Sequence, residues 1–424
     1  MANRNFRPMM QNSVSFWQNY KKFYVSLLKS MYGASATAEN DFGYEWLPKL
    51  DKVYDTLQMF ELVHQGQVNG FVCQGFNPLL SVPNKGKLIA GLSKLKFLVS
   101  IDPLETDTVK FWENHGEANP VDPSKIQTEV FMLPATCFAE DEGSFTNSSR
   151  TINWRWKAAN GPGEARNDIA IMAELFLRIR ELYEKQGGKA ADPILKVDWS
   201  YANPKLPTAD ELMREINGKA LVDIPDPADA TKTLYKAGQQ LATFGHLRDD
   251  GTTTSGCWIY TGAYTERGNM TARRDNSDPS GRYVYGNWGF AWPANRRILY
   301  NRASADPSGK PWSERKSYIT WNGKAWGGAD VPDYPPPLAP DRNAGPYIMN
   351  AEGVARLFAR KMMNEGPFPE HYEPFESPVA NALHPKMSSN PAARVFGGDR
   401  AAFGTSKDFP YVATTYRLTE HFHW

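Results

Sequence analysis

The residues best placed to do chemistry are carboxylates and glycines that stand where short apolar runs stop. The run Gly70-Phe71-Val72-Cys73 ends at Gly75-Phe76-Asn77-Pro78, and the run 97–101 ends at Asp102-Pro103. The run 129–133 ends at Pro134, ahead of the acidic turn Glu140-Asp141-Glu142-Gly143. A glycine lets backbone approach a ligand closely, and an asparagine offers its amide to a phosphate or a base. An acid at a strand end is placed to accept hydrogen bonds from a ribose or a guanine edge. Each feature also has an ordinary structural use. Gly75 to Pro78 reads first as a strand-to-helix turn, Asp102 equally as a helix cap, and the three acids as a solvated turn. Three acids beside a glycine could also bind a metal, but nothing in their spacing fixes a geometry.

A second concentration of polar groups lies near residue 424, at Thr414, Thr415, Arg417, His421 and His423. His-x-His can ligate a metal, yet in an extended stretch both rings face one side without a third ligand. The donors suit a phosphate or a pterin better. Cys73, Cys137 and Cys257 lack CxxC spacing, so the chain is not expected to hold a zinc or iron–sulfur cluster alone. An odd count gives no disulfide framework either.

These groups need elements to carry them. Val14, Trp17, Tyr20, Tyr24, Leu27, Leu28 and Met31 recur at helical spacing and predict an amphipathic helix over 12–31. Further helices are expected over 53–64, 87–95 and 165–185, the last with a broad apolar face of Ile169, Met172, Ala173, Phe176, Leu177, Ile179 and Leu182. Helices alternating with short apolar runs predict an α/β fold with a parallel sheet, whose ligands bind at the carboxyl ends of its strands. All three run ends carry polar or turn-forming residues. That coincidence weighs more than any one of them.

Beyond about residue 190 the chain becomes rich in Pro, Gly, Asn, Asp and Trp, and 330–347, with Pro335-Pro336-Pro337, reads as irregular. Thirteen Trp suggest flat contact surfaces between domains or with partner subunits. A formal charge of +1 argues against a duplex nucleic-acid binder. No apolar run approaches the ~18 residues of a membrane-spanning helix, and residues 1–7 are not followed by the apolar region of a secretory signal. A nicotinamide-binding dehydrogenase is a weak alternative, because no GxGxxG follows the first strand.

The succession GxNP (Gly75 to Pro78), a strand ending in Asp102, LPxxxxxExxGxxxNxxR (Leu133 to Arg150), PGEAxxD (Pro162 to Asp168) and TxRxxEHxH (Thr415 to His423) resembles the molybdopterin-guanine-dinucleotide oxidoreductases, the dimethyl-sulfoxide-reductase superfamily. Stretches 40–49, 246–253, 274–279, 299–306 and 365–374 are similar to the alpha subunits of respiratory formate dehydrogenases of the N/O type. The resemblance runs from about residue 13 onward. It implies a Rossmann-like α/β cofactor-cradling domain over 40–190, after an N-terminal helical segment over 1–39. An irregular aromatic-rich interface region over 191–410 would follow, then the start of a C-terminal dinucleotide-binding β-barrel over 411–424. That barrel is expected to be absent or only begun.

For individual residues, the resemblance implies that Asn77 contacts the guanosine diphosphate arm of a pterin cofactor, with Gly75 allowing close approach. Ile101 and Asp102 match the strand-end position, and Asp168 closes PGEAxxD. Thr415, Arg417, Glu420, His421 and His423 would lie along the cofactor. Asp141 stands where nitrate-reducing relatives often carry Lys, a departure at that contact. The implied function is formate oxidation to CO2 in anaerobic respiration, using a bis-molybdopterin-guanine-dinucleotide cofactor with Mo or W. No catalytic or metal-ligating residue is expected in this chain. Those groups, one 4Fe-4S cluster and a twin-arginine signal are expected in an N-terminal half that the chain does not contain. The implied partners are that half, an iron–sulfur beta subunit and a membrane cytochrome gamma subunit, on the periplasmic side of the inner membrane. Alone, the chain is expected to be cytoplasmic and inactive, as a fragment or as a non-catalytic scaffold.

Overall fold

Parallel pairing of the three apolar runs supplies the frame on which the candidate residues stand. The computed structural model describes residues 20–50, 54–113, 119–333 and 337–342, with positions 2–3, 396, 399 and 410–411. By internal contacts the chain divides into two units, 1–353 and 354–424. The description below concerns the first. Residues 411–424, expected to begin a further domain, lie outside the described residues apart from Tyr411.

Helix α1 (Tyr20–Tyr32) is the described part of the helix expected over 12–31. Its Val25, Leu28 and Tyr32 pack with Ala36, Phe42 and Tyr44. Helix α2 (Thr56–His64) begins where Asp55 caps it, accepting a hydrogen bond from the Gln58 amide at 2.9 Å. Strand β1 (Gly70–Gln74), helix α3 (Lys85–Leu92), strand β2 (Phe97–Asp102) and strand β3 (Glu129–Pro134) follow. The strands are parallel in the order β1-β2-β3, with Val72 level with Val99 and Val99 level with Phe131. Sheet and helices meet in a core of Phe60, Val63, Cys73, Leu88, Ile89, Leu92, Leu98 and Phe111. Gly91 makes this packing close: a Cβ there would sit 3.1 Å from the His64 Cα.

After the sheet, β4 (Gly143–Thr146) and β5 (Thr151–Arg155) form an antiparallel hairpin. Helix α4 (Asp168–Gln186) starts later than the expected 165. Pro162 and Gly163 keep the preceding residues in a turn, and the Asn167 side chain accepts from the Ile169 amide. Only Ala170, Ile171 and Ala173 of this helix are buried. Met172, Leu175, Ile179 and Leu182 are exposed, so much of its apolar face has no cover among the described residues.

Helix α5 (Ala209–Asn217) carries a complete capping box between Thr208 and Glu211. It packs Met213 against Ile152 and Trp154 of β5, together with Tyr264 and Phe290. Strand β6 (Phe290–Ala291) joins the hairpin's sheet beside β5. Between residue 190 and residue 342 the described chain holds mostly short strands and single turns, tied by buried polar groups rather than by long elements. Asn217, fully buried, is the densest of these ties. Its amide nitrogen donates to the carbonyls of Gly218 and Leu241 and to Gln240 Oε1, and its oxygen accepts from the amides of Gly262 and Tyr264. The described architecture is a mixed α/β fold with a parallel sheet segment. Among the described residues no helix is long and apolar enough to cross a membrane.

Candidate functional site

The carboxyl ends of β1, β2 and β3 gather the sequence-nominated residues. Gly75 takes φ 57°, a left-handed conformation that favours glycine, and its amide donates to the Ile101 carbonyl at 2.9 Å. No atom lies within 4 Å of the position its Cβ would occupy, so open space adjoins the end of β1. Ile101 itself is buried against Ala135 and Ile171, and offers the site backbone rather than side chain. Asp102 is half-buried, and its Oδ1 accepts from the Leu104 amide at 3.1 Å, which closes a local turn; no helix begins directly after it among the described residues, so the helix-cap use does not apply.

Asn77 has its amide turned inward. Nδ2 donates to Asp107 Oδ2 at 3.1 Å, and Oδ1 accepts from Thr108 Oγ1 at 2.7 Å. Thr108, fully buried, accepts in turn from the Leu79 amide. Asn77 thus pins the loop after β2 to the loop after β1. It organises the strand ends, whatever else it touches.

The acidic turn does not act as one group. Glu140 accepts from the Cys137 amide at 2.9 Å, and Glu142 from Trp154 Nε1 at 3.2 Å. Asp141 alone turns inward. It is 8% exposed, and its Oδ1 accepts from Thr136 Oγ1 at 2.6 Å and from Asn167 Nδ2 at 2.7 Å. Among the described residues no three His, Cys, Asp or Glu side chains are arranged to hold a metal ion.

PGEAxxD reaches the sheet by a short parallel bridge. Ala135 pairs with Arg166, the Arg166 amide donates to the Pro134 carbonyl, and the Thr136 amide donates to the Arg166 carbonyl, both at 3.0 Å. This bridge brings Asp168, the first residue of α4, to the ends of β1 and β2. Burial raises the Asp168 pKa above the usual carboxylate value; a Gln74 hydrogen bond opposes the rise, the charges of Asp141 and Asp102 add to it, and Arg155 opposes it. Behind them, burial and then the charge of Asp102 push the Cys73 thiol up to about 12, so it is an inert packing group.

Three carboxylates at neighbouring strand ends therefore form an acceptor-rich rim beside an open glycine turn. Ionised carboxylates accept hydrogen bonds and cannot donate them. The rim suits a ligand edge dense in N–H and O–H groups and repels a bare phosphate. Sequence reading missed Gln74, Thr136 and Asn167, which orient the acids. Only Asn167 carried a signal, as a capping residue before a helical run. Arg150, at the end of the longest motif, serves the fold: its guanidinium donates to the carbonyls of Trp292, Arg296 and Arg297. Thr415, Arg417, Glu420, His421 and His423 lie outside the described residues.

Comparison with known proteins bears on the same segment. Residues 131–178, which hold Asp141, Asp168 and the bridge between them, match the molybdopterin oxidoreductase family. Over 419 residues, 99% of this chain and 41% of the relative, the sequence is 56% identical to the formate dehydrogenase-O major subunit of Escherichia coli (strain K12). It is 54% identical over 418 residues, 98% of this chain and 41% of the relative, to the major subunit of the nitrate-inducible formate dehydrogenase of that organism. A formate dehydrogenase subunit alpha of Megalodesulfovibrio gigas is 39% identical over 431 residues, 99% of this chain and 41% of the relative. The chain thus spans about two fifths of the length of the curated relatives it matches. Similarity along its whole length to subunits of one kind, with the family match centred on the carboxylate rim, shows that this chain belongs to the molybdopterin oxidoreductase family, as a portion of a polypeptide of the formate dehydrogenase alpha-subunit type.

Proposed function

We propose that the chain is part of the catalytic alpha subunit of a formate dehydrogenase with a bis-molybdopterin-guanine-dinucleotide cofactor, and that its strand-end rim holds the guanosine end of that cofactor. The observation that carries this reading is the convergence of Asp102, Asp141 and Asp168 beside Gly75, with Asp168 desolvated and repelled by the other two. A guanine edge and ribose hydroxyls would donate into this rim and offset that repulsion. When bound, the cofactor's Mo or W centre supplies the two-electron oxidation of formate to CO2. The described residues would bind and orient its nucleotide arm, on a sheet of Rossmann-like type. Thr415, Arg417, Glu420, His421 and His423 would add donors along the same cofactor. The 4Fe-4S cluster and the metal-binding side chain would come from polypeptide outside these 424 residues. In the assembled enzyme an iron–sulfur beta subunit and a membrane cytochrome gamma subunit would take the electrons, on the periplasmic side of the inner membrane. By itself the chain would not oxidise formate.

Guanosine diphosphate is a direct probe of the rim. Calorimetric titration of the full chain should show binding, weakened at least tenfold in Asp168→Asn and in Asp102→Asn, which each swap one acceptor for a donor. Asn77→Ala should weaken it less, through the loosened loop after β2. No binding by the unsubstituted chain, or equal affinity in all three variants, favours a non-catalytic scaffold instead.

A further inference from the structure

Strand β5 ends on a cation that the fold leaves without an acceptor. Ile152 and Trp154 point into the core around Met213, so Arg155 points to the opposite face of the hairpin. It is level with Gly143, the residue that follows the acidic turn 140–142. Level residues share a face, and no atom lies within 4 Å of the place a Gly143 Cβ would take. Open space therefore adjoins the Arg155 side chain, as it adjoins Gly75 at the end of β1. Other arginines of this unit are spent on the main chain: Arg150, Arg273, Arg274 and Arg297 all donate to carbonyls. The Arg155 guanidinium has no hydrogen-bond or ion-pair partner among the described residues, and its Nε is buried. A buried donor without an acceptor is a place for a ligand to supply one.

The charge of Arg155 reaches Asp168, yet no ion pair joins the two among the described residues. The rim therefore offers a carboxylate and, set apart from it, a free donor fork. A ligand edge that spans both must present donors to the carboxylate and an acceptor to the guanidinium. Guanine does so: N1–H and the 2-amino group donate, and O6 accepts. Adenine carries its 6-amino group where guanine carries O6, which sets donor against donor. We propose that Arg155 selects guanine at the rim, its guanidinium donating to O6 while Asp168 accepts from N1–H and the 2-amino group. This rests on the cofactor reading above and adds to it the residue that reads the base. Arginine suits the task, because its planar fork stays charged and is the common partner of guanine O6 and N7.

Calorimetric titration of the full 424-residue chain with guanosine diphosphate, guanosine and adenosine diphosphate tests this. The unsubstituted chain should prefer guanosine diphosphate to adenosine diphosphate by at least about tenfold. Arg155→Met should weaken guanosine diphosphate and guanosine by the same factor, about tenfold or more, and leave adenosine diphosphate no weaker, so that the preference collapses. Arg155→Lys keeps the charge without the fork and should recover only part of it. Circular dichroism and the thermal midpoint of both variants should match the unsubstituted chain. A loss confined to the two diphosphates would overturn the proposal in favour of a phosphate contact. Equal loss for all three ligands, or unchanged guanosine diphosphate affinity in Arg155→Met, would overturn it too. In those cases a loss of guanosine diphosphate affinity in Asp168→Asn shows that the cofactor reading survives. Absence of guanosine diphosphate binding by the unsubstituted chain overturns both.

Discussion

Replacing Asn217 by alanine should be among the most damaging single changes in the chain, although Asn217 lies outside every motif. Its side chain is 0% exposed; the two hydrogens of its amide nitrogen are shared among three oxygen acceptors, and its oxygen accepts two hydrogen bonds. Alanine takes the partner from the buried amides of Gly262 and Tyr264 and from the Leu241 carbonyl, while the Gly218 carbonyl keeps the Leu241 amide. Each orphaned group costs about 1–3 kcal/mol, so the total for three is roughly 3–9 kcal/mol, with ~4, near the low end, as a working figure. A cooperative unit of about 300 residues has an unfolding entropy of roughly 0.6 kcal/mol/K, so ~4 kcal/mol lowers Tm by about 6–7 °C. Calorimetry checks the global figure, and amide hydrogen exchange checks the cause. Protection should fall first at Gly262 and Tyr264, then along α5, whose Met213 supports the β5 side of the site. Asn217→Asp keeps an acceptor for those two amides but turns a second oxygen on the Leu241 carbonyl. It should therefore be at least as destabilising as alanine at neutral pH. If Asn217→Ala shifts Tm by less than about 1 °C, the claim that this polar hub ties together the segments beyond residue 190 is refuted.

Three further outcomes follow from the site and its supports. Asp168→Asn should raise the chain's thermal stability at pH 7 while weakening guanosine diphosphate binding. Its folded-state pKa is raised, chiefly by burial, so this carboxyl's contribution is full at acid pH and is lost as pH rises through the raised value; a thermal scan across pH 4 to 8 should show a shallower slope in Asp168→Asn than in the unsubstituted chain. Burial likewise lifts Asp333 to about 6, so its contribution is present below the ordinary carboxylate range and lost as pH rises through about 6. Asp333→Asn should flatten the stability profile over that window, and an unchanged profile would show that the carboxyl is solvated. Gly161→Ala would put a Cβ 2.5 Å from the Thr136 methyl, forcing Thr136 off Asp141 and costing about 1–3 kcal/mol. Thr136→Ser deletes that methyl and keeps the hydroxyl, so the double variant should recover most of both stability and binding; additive losses would count against the contact.

The sheet was legible in the sequence because its strands are short apolar runs that stop abruptly, and the three runs pair in parallel. The helix boundaries were less legible: caps at Asp55, Asn84 and Asn167 set starts at Thr56, Lys85 and Asp168, where 53, 87 and 165 were expected. Asn167 sets the start of α4 at Asp168, whereas hydrophobic spacing alone placed it three residues early. Burial was less legible. Periodicity identifies which face of α4 is apolar, but whether that face is covered depends on polypeptide that packs against it, and Met172 and Leu182 remain exposed. Periodicity states what a helix can bury, not what it does bury within one chain.

The candidate site shows the same division more sharply. Residue type and position nominated Asp102, Asp141 and Asp168 separately, each with a structural use that fitted as well. Their proximity depends on the Ala135–Arg166 bridge, a pairing of two backbone segments with no side-chain signature. It also depends on Thr136 and Asn167, which hold Asp141 from either side of that bridge. Glu140 and Glu142 instead accept from a backbone amide and an indole, and nothing in the sequence says which of the three acids the turn points inward. A desolvated carboxylate repelled by two others, as Asp168 is by Asp141 and Asp102, is a poor way to stabilise an isolated fold. Under the proposed function, a donor-rich ligand at the strand ends would offset that repulsion, which the packing of the described residues alone does not.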